Sequence, residues 1–195
     1  MTDRPTNRLT DRFTRYPLDK VHRLFEPGPV VLVSTSDGRH ANLMTNGFNM
    51  PVRHSSTIAL VVGPWDDTFT ALRDTGECVV GIPGRELLEK VVDIGNVSGA
   101  DVDKWERYGL TPAPGEAVRA PLVAECFANV ECTVADDRLV DDHDLWLLRI
   151  EQAWIDPAAP AGAEIHHRGD GTFSANGELI DLRARMTKWE ALTRD

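Results

Sequence analysis

A run of polar residues interrupts a segment that its neighbours predict to be a core strand. The run covers residues 42–49 and reads Asn-Leu-Met-Thr-Asn-Gly-Phe-Asn. Polar side chains on a buried strand need hydrogen-bond partners. A heteroaromatic ligand with carbonyl groups and ring nitrogens could supply them. A partly exposed strand whose amides bond to neighbouring loops would explain the same pattern.

Two predicted helix starts carry residue types that suit a phosphate. Residues 66–68 read Asp-Asp-Thr, and a helix N-terminus there would offer backbone N–H groups, a hydroxyl and a positive dipole end. The two carboxylates oppose an anion, and an ordinary helix cap is the alternative. Residues 98–104 combine a Ser-Gly entrance with Lys104, which could add a positive charge. A solvated helix face is the alternative for that segment.

The common catalytic sequence motifs are missing. The sequence has no GxGxxG, GxxxxGK[ST], GxSxG or HExxH pattern, which disfavours Rossmann, P-loop, hydrolase and zincin chemistry. His166 and His167 are adjacent and have no second ligand cluster at a suitable spacing, so we expect no metal. His54 and His143 lie in predicted loops, and no Ser or Cys nucleophile pairs with them. No residue is therefore assigned a catalytic role.

The three cysteines, Cys78, Cys126 and Cys132, form neither an even set nor a CxxC pair, which fits a reducing compartment. Cys126 and Cys132 are six residues apart in one predicted strand, so we expect them to share a face. Buried apolar thiols are one interpretation of this spacing, and a redox pair or metal site is the other.

Charge and composition narrow the function classes. The net charge of −10 and pI near 5.0 oppose binding to nucleic acid. The polar residues 1–15 lack the apolar core of a signal peptide, and no run approaches a membrane span. We expect a cytoplasmic protein that does not associate with a membrane. With 195 residues, 42% of them hydrophobic, a single domain is expected.

Closely spaced strands are predicted to position the polar segments. The predicted strands cover residues 30–35, 41–48, 56–62, 77–82, 122–135 and 144–155. The predicted helices cover residues 18–25, 68–75, 85–95, 98–108 and 181–192. Because long βαβ alternation is absent, the pattern favours a mainly β barrel with short helices. We divide the domain into an N-terminal segment with a lead-in helix (1–27), a barrel core (28–157) and a C-terminal loop and helix (158–195) that packs on the barrel or on a partner.

Six segments, in this order, resemble the flavin reductase-like family of FMN-binding split β-barrels, in particular its flavoredoxin-type branch. They cover residues 28–35, 42–45, 68–80, 95–105, 109–112 and 120–132. The resemblance implies a Greek-key split barrel that forms a homodimer. It also implies one FMN per subunit, in a groove that the dimer interface helps to close.

The resemblance assigns residues to the cofactor. The strand from Asn42 to Gly47 would line the isoalloxazine ring, with Asn42 and Thr45 at its polar edge. Asp67, Thr68 and Lys104 would lie near the phosphate, with a hydroxyl from Ser98. The implied cofactor-binding residues are Asn42, Met44, Thr45, Asn46, Gly47, Asp67, Thr68, Ser98 and Lys104.

The chain departs from the family pattern at two places. Residues 46–48 read Asn-Gly-Phe where relatives often have a small residue and Ser-Trp, and Leu148-Arg149 replaces a common Gly-Glu. Residues 166–173 resemble a His-Gly-Gly segment of relatives that approaches the flavin, and we treat them as an edge of the site.

Three functions follow from the resemblance. The first is a flavin reductase-like oxidoreductase that passes electrons from NAD(P)H through FMN to an acceptor. The second is an FMN electron carrier without its own nicotinamide site, whose acidic surface docks a redox partner protein. The third is a split barrel recruited to another small-molecule role, which the two departures would accommodate.

Overall fold

A curled sheet of seven antiparallel strands, a half-barrel, carries most of the fold in the computed structural model, which describes residues 28–53, 56–175, 177 and 180. The strands are β1 (Val31–Ser36), β2 (Ala41–Asn46), β3 (Asn49–Arg53), β4 (Thr57–Val61), β5 (Glu77–Ile82), β6 (Pro112–Ala113), β7 (Leu122–Val123), β8 (Ala128–Asp136), β9 (Leu145–Ile155), β10 (Ile165–His167) and β11 (Phe173–Ala175). The main sheet has the order β2-β1-β5-β8-β9-β4-β3, and β6–β7 and β10–β11 form separate pairs. The predicted mainly β, single-domain barrel fold is confirmed.

Within the described residues, four short helices accompany the sheet. They are α1 (Asp67–Thr75), α2 (Leu88–Gly95), α3 (Lys104–Tyr108) and α4 (Val140–His143), and a 3₁₀ turn at Arg85–Leu87 leads into α2. The predicted helices 68–75 and 85–95 are therefore confirmed. None of the helices in the described part of the chain is long and apolar enough to cross a membrane.

The core has two parts because successive side chains of β1 point to opposite faces of the sheet. Leu32 belongs to a cluster with Leu43 of β2 and Ile94 of α2. Val31 and Val33 belong to a second cluster, with partners from α1, β5 and β9. A strand buried on both faces explains the continuous apolar run at residues 30–33.

The prediction of one long strand over residues 122–135 is wrong. A turn closed by a hydrogen bond from Cys126 N to Val123 O (3.0 Å) separates β7 from β8. Cys126 consequently packs in the first core cluster and Cys132 in the second, opposite Cys78 of β5, so the expected shared face is also wrong. All three cysteines are free and buried, and burial raises the pKa of each thiol. Raised pKa values disfavour thiolate chemistry.

Two further boundaries differ from prediction. The helix expected over residues 98–108 begins only at Lys104, because Asp103 caps it by accepting from Trp105 N (2.9 Å) and Glu106 N (3.1 Å). The strand expected over 41–48 ends at Asn46, and β3 follows as an unpredicted edge strand. β3 contains Pro51, which an edge position tolerates because no ladder N–H is required there.

The hairpin β10–β11 was not predicted, and Ile165 O accepts a hydrogen bond from Val30 N (2.8 Å). The predicted helices over 18–25 and 181–192 lie outside the described residues, as does His54.

Candidate functional site

A cavity of about 230 Å³ lies between β2, the N-terminus of α1 and the connection from α2 to α3. We call it the first cavity. The three polar segments that the sequence singled out meet here. Seven of the nine predicted cofactor-binding residues line it, namely Asn42, Met44, Thr45, Asp67, Thr68, Ser98 and Lys104.

The other two predicted residues lie outside the first cavity. Asn46 is buried, and its Nδ2 donates to Val61 O of β4 (2.8 Å). Gly47 follows the end of β2 in the connection to β3. The amide of Asn46 therefore joins β2, at one edge of the sheet, to β4, next to the other edge. Asn46 does not line the first cavity.

Lys104 places a buried positive charge beside the first cavity. The residue is only 6% exposed, and its Nζ donates to Leu43 O of β2 (2.8 Å). An ammonium has three donors, and the described residues provide no second acceptor for this one. Burial lowers the pKa of Lys104, while the carboxylates of Asp67 and Asp66 act in the opposite direction. Two N–H groups thus remain for a ligand.

The N-terminus of α1 contributes an unused hydroxyl. Thr68 is 1% exposed, and within the described chain its Oγ1 has no hydrogen-bond partner. Asp66 occupies the N-cap position, yet its side chain makes no capping hydrogen bond. The first N–H groups of a helix also lack acceptors within the helix. Donors and a positive dipole end are therefore concentrated at one wall of the first cavity.

The carboxylate of Asp67 is engaged by the α2–α3 connection. Its Oδ2 accepts from Ser98 Oγ (2.6 Å) and from Ala100 N (3.1 Å). The Ser98 hydroxyl thus donates to Asp67, and the hydroxyl predicted for a phosphate is already committed. Burial raises the pKa of Asp66, the second carboxylate here, against the opposing effect of nearby Lys104.

The β2 wall is held by contacts with the helical side. Thr45 Oγ1 donates to Val91 O of α2 (2.6 Å). A Cβ atom added to Gly99 would lie 2.1 Å from Asn42 Oδ1, so the loop approaches Asn42 closely and a larger residue at position 99 would displace the Asn42 amide. These contacts bring α2 and the following loop against the strand that carries the predicted ring-binding residues.

Trp65 is a lining residue that the sequence analysis did not assign to the site. It is 78% exposed. A Cβ added to Gly63 would lie 2.3 Å from the Trp65 ring, so the indole lies directly over that glycine. The available signal was the Gly-Pro-Trp run at residues 63–65, which places an aromatic side chain just before the N-terminus of α1.

The segments that depart from the family pattern lie elsewhere. Leu148 is buried in the second core cluster, and Arg149 Nε donates to Glu151 Oε1 (2.7 Å). None of residues 166–173 lines the first cavity, and the His167 ring packs against Phe173. No three His, Cys, Asp or Glu side chains could hold a metal ion in the part of the chain that the structure describes.

The family model described as "Flavin reductase like domain" matches residues 23–173. An uncharacterized protein of Archaeoglobus fulgidus is 34% identical over 107 residues, which are 54% of this chain and 60% of the relative. The chain therefore spans less than two thirds of that relative. The uncharacterized protein YddH of Escherichia coli is 28% identical over 184 residues, which are 87% of this chain and 97% of YddH.

Solved structures share the fold. Flavoredoxin from Methanosarcina acetivorans superposes with a TM-score of 0.77 at 21% identity and covers 92% of this chain and 99% of its own. The NADH:FAD oxidoreductase SgcE6 of Streptomyces globisporus superposes with a TM-score of 0.71 at 21% identity, over 85% and 98% of the two chains. At these identities the likeness establishes the split-barrel fold.

Proposed function

The chain belongs to the family of the flavin reductase like domain, and from that premise we propose that it binds FMN in the first cavity and passes electrons from NAD(P)H through the flavin to an acceptor. One observation carries the proposal. The buried ammonium of Lys104 and the unpartnered hydroxyl of Thr68 line the same cavity at a helix N-terminus.

The phosphate end of FMN fits this wall of the first cavity. A phosphate offers acceptor oxygens to the two remaining N–H groups of Lys104 and to the Thr68 hydroxyl. The carboxylates of Asp66 and Asp67 oppose the anion. Asp67 is, however, already the acceptor of two hydrogen bonds, from Ser98 and Ala100. We therefore assign the phosphate to Lys104, Thr68 and the first N–H groups of α1.

The ring end is assigned to β2. Asn42 offers an amide that can both donate and accept, and Met44 offers apolar surface on the same strand. Lys104 bonds to Leu43 O, so the residue that holds the phosphate also fixes the strand that orients the ring. When bound, the flavin supplies the hydride and electron chemistry. The protein's own work is to bind and orient it.

A second copy of the chain would complete the site. The first cavity, at about 230 Å³, is smaller than the roughly 300–1,000 Å³ usual for ligand pockets. Phe48, Met50 and Val52 are exposed along the edge of the sheet. Val61 N donates to Phe48 O (2.9 Å), and Val61 precedes the cavity-lining Trp65 by four residues, so this edge is linked to the first cavity. We propose that these apolar residues form a homodimer interface that closes the flavin groove. The molar mass in solution, measured by light scattering, tests this.

The first experiment is an absorbance spectrum after FMN addition and desalting, followed by anaerobic NADH or NADPH. Flavin absorbance that is retained and bleaches with the nucleotide is expected. The variant Thr68→Val should weaken FMN binding by about tenfold, because it removes a hydrogen bond to a charged group. It should not lower the melting temperature, since this hydroxyl has no protein partner within the described residues.

Thr75→Val is the matched control at the other end of α1. Thr75 Oγ1 donates to Ala71 O (2.7 Å), so its loss should lower stability by about 1 kcal/mol and leave FMN affinity unchanged. If both variants weaken FMN equally, or neither does, the phosphate assignment fails.

An electron carrier is the second candidate. The net charge of −10 suits docking to a basic redox partner protein. Retained flavin that does not bleach with NADH or NADPH would favour the carrier. A protein that retains no flavin would favour a split barrel with another small-molecule role. The cytoplasmic location stays a prediction.

A further inference from the structure

A second cavity, of about 310 Å³, adjoins the first. It lies between the turn that joins β1 to β2 and the face of α1 that carries Thr70 and Asp74. Asn42 and Asp67 line both cavities. A group bound in the second cavity would therefore be a direct neighbour of a ligand in the first.

Thr35 gives the second cavity an unsatisfied polar group. The residue is 1% exposed, and its Oγ1 finds no hydrogen-bond partner in the described part of the chain. It lines the cavity and pairs with Asn42 across the β1–β2 ladder. A buried hydroxyl without a partner is costly. A ligand with N–H donors would remove that cost.

The charge of the second cavity selects a cation. Three carboxylates line it, from Asp37, Asp67 and Asp74, and no Lys or Arg is among the described residues that line it, although the Arg39 charge acts on Asp37 from outside the lining. Backbone N–H groups of His40 and Arg39 donate to Asp37 Oδ1 (2.7 Å each) and lower the pKa of Asp37, so this carboxylate stays ionised. His40 is the one lining side chain that could carry a positive charge.

A metal ion does not fit this arrangement. The carboxylates are not grouped so that three His, Cys, Asp or Glu side chains could hold one, as far as the described residues go. An ammonium or guanidinium group has several N–H donors pointing in different directions. The lining offers such a group separate acceptors on α1, on the β1–β2 turn and on Thr35.

We propose that the second cavity binds the ammonium or guanidinium group of the acceptor that takes electrons from the flavin. The cation site stands on Thr35 and the three carboxylates alone, and only its link to electron exchange rests on the proposed function. The group has two sources: a free small molecule, or a Lys or Arg side chain of a redox partner.

The probe is propylammonium chloride, titrated into the ¹⁵N-labelled full chain at constant ionic strength. We expect saturable amide shifts at Thr35, Thr70 and Asp74. Asp74→Asn should weaken binding about fivefold and Thr35→Val about threefold, as expected for one lost hydrogen bond at a partly exposed site. The matched control is Asp93→Asn, which removes the same charge from an exposed residue of α2 that lines neither cavity.

Tetramethylammonium, which carries the same charge but no N–H donor, separates a built site from general attraction to an acidic protein. Equal binding of the two cations, unchanged affinity in Asp74→Asn, or the absence of saturable shifts would overturn the proposal. If a lysine-containing tripeptide binds more tightly than propylammonium, a partner side chain is the source. Equal affinity would indicate a free small molecule.

Flavin retention is measured on the same samples. Asp74→Asn should retain FMN, because Asp74 does not line the first cavity. A wild-type protein that binds propylammonium at these residues without retaining FMN would sink the proposed function and leave the cation site standing. FMN retention without propylammonium binding would overturn the cation site and leave the proposed function standing.

Discussion

Two buried charged residues, Glu131 and Lys104, differ in how fully the chain satisfies them. Glu131 is 0% exposed, and Lys104 is 6% exposed. The ammonium of Lys104 has one acceptor within the described residues, Leu43 O. The carboxylate of Glu131 accepts from Glu116 N (3.1 Å), Ala117 N (2.6 Å), Val118 N (2.9 Å) and Trp154 Nε1 (2.8 Å).

The difference separates a buried charge that the fold satisfies from one that keeps hydrogen-bond donors free at a cavity wall. Glu131 fixes the backbone of residues 116–118 and the indole of Trp154, and it lines neither cavity. Lys104 keeps unused donors at a cavity wall. A buried charge with its hydrogen bonds complete has nothing left to offer a ligand, whereas an incomplete one gains from binding.

The largest effect is expected from Glu131→Ala. It leaves several buried donors without an acceptor, so the free energy of unfolding should fall by about 3 kcal/mol or more. Urea unfolding measures this, and the folded fraction should retain FMN. Should the variant not fold, Glu131→Gln keeps the shape and loses only part of the stability. Glu125→Ala is the control: that carboxylate accepts from Thr111 N (3.0 Å) but is only half-buried, so its removal should cost less.

Lys104→Met should have the opposite effects to Glu131→Ala, with a large loss of FMN affinity and little change in stability. FMN affinity, measured by flavin fluorescence, should fall by about thirtyfold, because a hydrogen-bonded charge at the phosphate is worth roughly 2 kcal/mol. The free energy of unfolding should change by less than about 1 kcal/mol, since replacing a buried charge by an apolar side chain is often neutral.

Lys90→Met is the control for that variant. Lys90 Nζ also donates to a backbone carbonyl, Gly109 O (3.3 Å), but Lys90 does not line the first cavity. Its replacement should leave FMN affinity unchanged. Equal losses in the two variants would show that the comparison between Glu131 and Lys104 is wrong.

The smallest effects are expected from pH. Burial raises the pKa of Glu131, but the hydrogen bonds from Trp154 and the backbone N–H groups of residues 116–118 outweigh it, and the pKa is lowered overall. Its stabilisation is complete above the unfolded pKa of about 4.3 and is lost as the pH falls through the lower folded value. Urea unfolding from neutral to acid pH should show this loss in the wild type and less of it in Glu131→Gln.

Lys104 should respond on the alkaline side with the opposite sign. Burial lowers its pKa, so the charged form destabilises the fold at neutral pH, and this penalty disappears as the pH rises past the unfolded value. FMN affinity should weaken over the same alkaline range as the ammonium loses its proton. If FMN affinity depends on pH in the wild type as it does in Lys104→Met, the role assigned to Lys104 is contradicted.

Local patterns were sufficient for most of the elements that form the first cavity. The helices α1 and α2 appear where helical spacing predicted them. The polar run of β2 lines the first cavity with Asn42, Met44 and Thr45, and its contact with a ligand stays a prediction. β3 escaped prediction because Pro51 argues against a strand unless its edge position is known. Cys126 was misplaced because its turn interrupts an alternation that reads as one strand.

The sequence by itself determined the strand and helix periods, the negative charge and the segments whose polar side chains needed partners. Only the tertiary structure decided which partners they found. Ser98 donates to Asp67, Asn46 donates to Val61 O, and Lys104 donates to Leu43 O. These bonds join residues far apart in the chain, and hydrophobic periodicity specifies which face is buried but not which distant atom meets a given donor. The hydroxyls of Thr35 and Thr68 lack hydrogen-bond partners among the described residues, and this can be recognised only when the positions of the surrounding groups are known.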